Sequence, residues 1–164
     1  MALDKMISFI RSIGIDIEEA PINEATFLPG ILIKNGGLQI DRERLLYPGD
    51  ILHEAGHLAV MPAHSRQQSY GNVGEQQDAG VAGGEEMMAI SWSYAALRHL
   101  QLPIELLFHP DGYKGASDWF IAQYTNETYL ALPTLQWIGL CYDKKNAEQH
   151  NEQPYPHMLK WLRD

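Results

Sequence analysis

The chain has 164 residues, a formal net charge of −9 and one cysteine, Cys141. That length favours a single domain over 1–164, the acidic balance excludes nucleic acid and anionic membrane surfaces as partners, and the lone cysteine excludes an internal disulfide or a cysteine-rich zinc site. With 45% hydrophobic and 20% charged residues, no signal-peptide core ahead of Asp4, Lys5 and Arg11, and no apolar run of roughly 18 residues, a soluble cytoplasmic protein is expected.

Leu3, Met6, Ile7, Ile10 and Ile13 share one face of a predicted short helix, with Gly14 at its stop. Asn35-Gly36-Gly37 lies between the apolar runs Ile31 to Ile33 and Leu38 to Ile40, which is a hairpin signal. Pro48-Gly49-Asp50 reads as a turn with an N-cap aspartate. It predicts a helix from Ile51 that Pro62 ends. Gly56 inside that helix costs about 1 kcal/mol relative to alanine, which implies close packing behind it.

From His64 to Gly84 the chain is rich in Gln, Ser, Asn and Gly, and the reading is a flexible loop. The next helix is predicted over Glu85 to Leu100, with Glu85 and Glu86 in its first turn and Arg98 and His99 in its last. One further turn is expected after Pro103. Ser117 is read as the cap of an aromatic helix to Tyr124, and another helix is expected from Pro133 to Leu140. Lys144 to Gln153 reads as polar linker, and Tyr155 to Leu162 as a short amphipathic turn or two. The expected fold is α+β: mainly helical, with a small antiparallel hairpin before the helix that starts near Asp50.

That helix carries His53-Glu54-Ala55-Gly56-His57, an H-E-x-x-H pattern. Four residues apart on a helix, His53 and His57 lie on one face, roughly 6 Å apart along the axis. Such a pair can hold one Zn²⁺ and leaves Glu54 free to activate a metal-bound water. A third protein ligand is required. The H-E-x-x-H-x-x-G-x-x-H arrangement would put it at Ala63, with Val60 in the glycine slot, and His64 misses by one. A glutamate on the following helix is the better candidate. Glu86 is preferred, because Ala89 three residues on leaves space near a metal; Glu85 is the alternative, and Asp78 stands well behind.

From Pro48 to Tyr94, these residues resemble the zincin metallopeptidases, and within them the gluzincin branch with its downstream glutamate ligand. The resemblance implies a strand or hairpin before the metal helix, a place that Ile31 to Ile40 fills. It also implies a zinc-dependent hydrolase of metalloendopeptidase type acting on a peptide or protein substrate. One position departs from the pattern. Where glutamate-ligand families carry an acidic or polar residue to orient a histidine, this chain has Ile90.

In the expected mechanism Glu54 takes the proton of a water and passes it to the leaving amine. Tyr94, about two turns beyond Glu86, and His109 and Tyr113 are the candidates to steady an oxyanion or the substrate. Two other readings fit the same residues: a non-catalytic, metal-stabilised binding or regulatory protein, and a metal-dependent hydrolase of something other than peptides. An intact Glu54 favours an enzyme, since a structural zinc has no need of a general base.

Overall fold

The computed structural model describes residues 1–73 and 79–164. The chain is α+β, with seven α-helices and one three-stranded sheet among the described residues. Helix α1, Ala2–Ser12, buries Met6, Ile7, Phe9 and Ile10, the face its apolar spacing dictates. Strands β1 (Ile17–Glu19), β2 (Ile31–Lys34) and β3 (Gly37–Ile40) follow. Asn35 and Gly36 both take positive φ (51° and 79°), as a tight two-residue hairpin turn requires.

β2 and β3 pair antiparallel, Ile31 opposite Ile40 and Ile33 opposite Leu38. The sheet is mixed rather than purely antiparallel, because β1 joins β3 in parallel, Ile17 opposite Leu38. Strand order β1-β3-β2 leaves β2 on an edge. That parallel partner lies far from β3 in sequence and is selected by burial of Ile17 against the core, which leaves no local signal.

Helix α2, Asp50–Val60, is buried at every residue. It ends where Met61, the residue before Pro62, turns extended. Gly49, not Asp50, is its N-cap, and no side chain caps this end. A Cβ on Gly49 would lie 1.7 Å from the Leu106 carbonyl oxygen, so the helix starts flush against the 3₁₀ turn Ile104–Leu106. At the other end, Arg66 donates to the carbonyls of Leu58 (2.8 Å) and Met61 (3.2 Å), and the Arg163 amide donates to Ala59 (2.9 Å). Cationic donors at the last carbonyls suit the helix dipole.

The segment expected to be a loop from His64 to Gly84 is partly helical. Helix α3 covers Ala63–Gln68, and α4, Ala79–His99, begins well before Glu85. Once a helix as apolar as the later part of α4 exists, each added turn needs no new nucleation, so Gly80, Gly83 and Gly84 extend it despite their low propensity. Residues 74–78, among them Asp78, lie outside the described residues.

α4 crosses α2 at Gly56, where a Cβ would meet the Ala89 carbonyl at 2.6 Å and Ser93 Oγ at 2.8 Å. Ser93 Oγ lies 2.9 Å from the Leu52 carbonyl and 2.6 Å from that of Ala89, tying the helices at their crossing. Trp92, fully buried, donates to the Trp161 carbonyl at 2.9 Å.

Helices α5 (Ser117–Thr125), α6 (Leu132–Trp137) and α7 (Lys144–His150) complete the set. Ser117 does not cap α5; its hydroxyl donates to the His109 carbonyl at 2.5 Å. The expected linker from Lys144 is α7, capped by Asp143, which accepts from the Asn146 amide at 2.7 Å, and closed by Asn151 at φ +55°. Its polarity follows from burying only Ala147. No helix among the described residues is long and apolar enough to cross a membrane.

Candidate metal centre

Helical spacing places His53 and His57 one turn apart on the same face of α2, and both Nε2 atoms point to one place, 3.1 Å from each other. Glu86 reaches across from α4. Its Oε1 lies 3.3 Å from His53 Nε2 and its Oε2 3.0 Å from His57 Nε2. Among the described residues, His53, His57 and Glu86 are the group of donors that could hold a metal ion. Glu86 sits two turns inside α4, so a first-turn role toward the helix dipole does not explain it. Ala89 serves the helix crossing at Gly56, where its backbone needs the close approach.

The donor set fits a metal. The two Nε2 atoms, 3.1 Å apart, are close to the roughly 3.3 Å edge of a tetrahedral ion with bonds of about 2.0–2.1 Å, and the carboxylate turns one oxygen to each ring, Oε1 to His53 at 3.3 Å and Oε2 to His57 at 3.0 Å. Two imidazole nitrogens and one carboxylate oxygen are the ligand types of catalytic zinc, with a tetrahedral corner to spare. Both histidines are buried and Glu86 is half-buried.

Burial pushes His53 down to about 4, with His57 adding to the effect and Glu86 opposing it. For His57, burial also pushes down, but the hydrogen bond to Glu86 and the nearby Glu54 carboxylate outweigh it and hold the group above its usual value. Burial acts to raise Glu86, yet His57 and His53 pull its carboxyl below the ordinary range. Glu54 is raised to about 7, first by burial, against the pull of His57 and with help from Glu86 and Asp50. A carboxyl poised there suits proton transfer near neutral pH.

Two cavities flank the group and share Phe27 and Leu28. One, of about 340 Å³, runs beside edge strand β2 and is lined by Glu54 together with Ile31, Leu32 and Ile33. The other, of about 490 Å³, is lined by His53, Glu86, Asp50, His109, Tyr113 and Lys114, with Pro29 and Leu46 on its apolar side. Ile31 and Ile33 turn their peptide groups away from β3 by antiparallel alternation. The Ile33 carbonyl accepts from the Gly71 amide at 2.9 Å.

The remaining candidates separate. Tyr113 stands beside the group, its ring edge-on to His53 and its hydroxyl 3.4 Å from His53 Nδ1. Burial raises its phenol well above the usual value. His109 lines the same cavity but is bound to Asp50, Nε2 to Oδ1 at 3.0 Å, and stacks on Tyr47 at 3.7 Å. Its Nδ1 is buried with no partner among the described residues. Tyr47 in turn donates to Asp111. Tyr94 packs with Tyr124, Tyr129 and Tyr155, and lines a cavity that shares no residue with the one at His53.

Asp50 was missed as a site residue because an aspartate before a helix reads as a cap; instead burial raises its carboxyl and His109 faces it. Phe27, Leu46 and Lys114 carry no motif, and nothing local marks them as cavity lining. No protein-family model, no curated protein and no solved structure matches the chain.

Proposed function

We propose that the protein is a zinc-dependent hydrolase, a small metallopeptidase of the zincin type with His53, His57 and Glu86 as zinc ligands and Glu54 as general base. The observation that carries this reading is that His53, His57 and Glu86 bring one donor atom each within 4.8 Å of one another, with the buried Glu54 carboxyl beside them. A zinc ion held there supplies Lewis acidity toward a carbonyl and acidifies a water. Glu54 accepts the proton of that water and returns it to the leaving amine. An edge strand beside Glu54 supports a peptide as substrate, because an extended segment can add to β2 through the outward carbonyl of Ile31 and amide of Ile33, the Ile31 amide and Ile33 carbonyl being bound to Leu28 and Gly71. The paired cavities on either side of the donors take side chains of that segment. Against a purely structural metal stands the buried Glu54, which such a site does not use.

The test is direct. Purified protein is expected to retain one zinc per chain, and Glu54→Gln to keep the zinc while hydrolysis of a peptide library falls by about 10²–10⁴-fold. A protein that takes up no zinc, or a Glu54→Gln variant as active as the parent, would defeat the proposal.

A further inference from the structure

A histidine that binds a metal through Nε2 carries its proton on Nδ1, and a partner on that Nδ1–H holds the tautomer and the ring plane. In this chain the residue one turn beyond Glu86 cannot provide it, because Ile90 is apolar and buried in the core. The group that faces His53 Nδ1 comes from elsewhere in the fold. It is the Tyr113 hydroxyl, at 3.4 Å, with the two rings edge-to-face at 5.6 Å and 83°.

We propose that Tyr113 is the positioning residue of the metal centre, accepting the Nδ1–H of His53 so that Nε2 is left free and aimed at the ion. The inference rests on the metal reading above and adds to it the element that builds the site. Tyr113 is held by more than one contact. Its ring packs against both members of the stacked pair Phe108 and Phe120, each at 5.2 Å. Its backbone, with that of Lys114, takes φ +54°, a conformation that side-chain-bearing residues adopt only where the surroundings enforce it.

Those surroundings are visible. Gly112 donates to His109 at 3.0 Å, Ala116 to Tyr113 at 3.0 Å, and Ser117 Oγ to His109 at 2.5 Å. His109 is itself fastened to Asp50. Asp50 and His53 are three apart, hence on one face of α2. The segment from His109 to Ser117 therefore grips the metal helix at two points, one of which is the ligand.

The experiment compares zinc binding and histidine tautomers in the full chain, with zinc ion alone as the probe. Tyr113→Phe keeps the ring packing and removes one oxygen. Zinc affinity is expected to fall by about 10–100-fold, while Tyr129→Phe, in the separate tyrosine cluster, leaves it unchanged. Long-range ¹H–¹⁵N spectra of the zinc-free unsubstituted protein, where no ion on Nε2 enforces the tautomer and Glu86 offers that atom a competing acceptor, are expected to show His53 as the Nδ1–H tautomer. This second measurement decides the matter if the variant does not fold. An affinity equal to the parent's in Tyr113→Phe, or His53 protonated on Nε2, would overturn the role of Tyr113 and leave the metal reading standing. A parent protein that binds no zinc would overturn both, and is told apart by that fact.

Discussion

Behind the His53–His57–Glu86 group, α2 and α4 touch backbone to backbone, and Gly56 has no room for a methyl group. In front of it, Phe27 and Leu46 are 69% and 65% exposed at the rim of a cavity. The two regions lie on either side of the same three side chains and obey opposite rules. The rear sets the separation of two helices, on which the spacing between imidazoles and carboxylate depends. The front leaves large apolar groups in water, which a fold avoids unless something else covers them in use.

Four substitutions separate these roles, and the largest effect falls on the group itself. Glu86→Ala is expected to weaken zinc by more than the roughly 10–100-fold of an outer-shell change, as read by competition with a chelating dye. In the parent, zinc at a hundred times its Kd stabilises by about 2.7 kcal/mol. That raises Tm by several degrees, and Glu86→Ala abolishes the rise. Next comes Gly56→Ala. Its methyl meets the Ala89 carbonyl, so the variant is expected to lose about 1–3 kcal/mol in denaturant unfolding. Zinc affinity should fall with it, since the helices must part. A Gly56→Ala variant with parental stability and zinc affinity would break the comparison.

Ser93→Ala tests the same crossing more gently. Losing the hydroxyl beside Leu52 and Ala89 is expected to remove about 0.5–1.5 kcal/mol with little change in zinc affinity. Phe27→Ala is the smallest in stability, within about 0.5 kcal/mol, as for other exposed sites. Its effect belongs to substrate, as a raised KM with kcat little altered. If Phe27→Ala unfolds the protein while KM is unmoved, the front is ordinary core and not a binding rim.

How much of this was legible in the sequence depends on how far each contact reaches along the chain. The helix that carries His53 and His57, its stop at Pro62, the hairpin at Asn35-Gly36 and the close packing at Gly56 each follow from a few consecutive residues. The sequence favours Glu86 for the small Ala89 after it, but that alanine answers to the helix crossing at Gly56, and the fold rather than the spacing is what brings Glu86 to the imidazoles. What could not be read are pairs whose members lie far apart in the chain. Asp50 looks like a cap until His109 is seen beside it, and Tyr113 looks like a turn residue until the fold sets it against His53. Local composition misled in one place. The glycines of 80–84 suggest a loop, but they are carried by the apolar turns that follow them in α4. Lys144 to His150 misled the other way, because polarity is also the composition of a helix with one buried residue.

The arginines at the end of α2 bear on the order in which this helix acquires its closing partners. The carbonyls of Leu58, Ala59, Val60 and Met61 find donors in Arg66 and in the amide and guanidinium of Arg163, and Arg66 also holds the Arg163 carbonyl at 2.5 Å. Domains are synthesised from the N-terminus at roughly 5–20 residues per second. His53 and His57 thus leave the ribosome several seconds before Arg163 arrives to close their helix. Until residue 163 has been made, the Ala59 and Val60 carbonyls lack these donors, and Arg66 alone closes the end of α2 that follows His57.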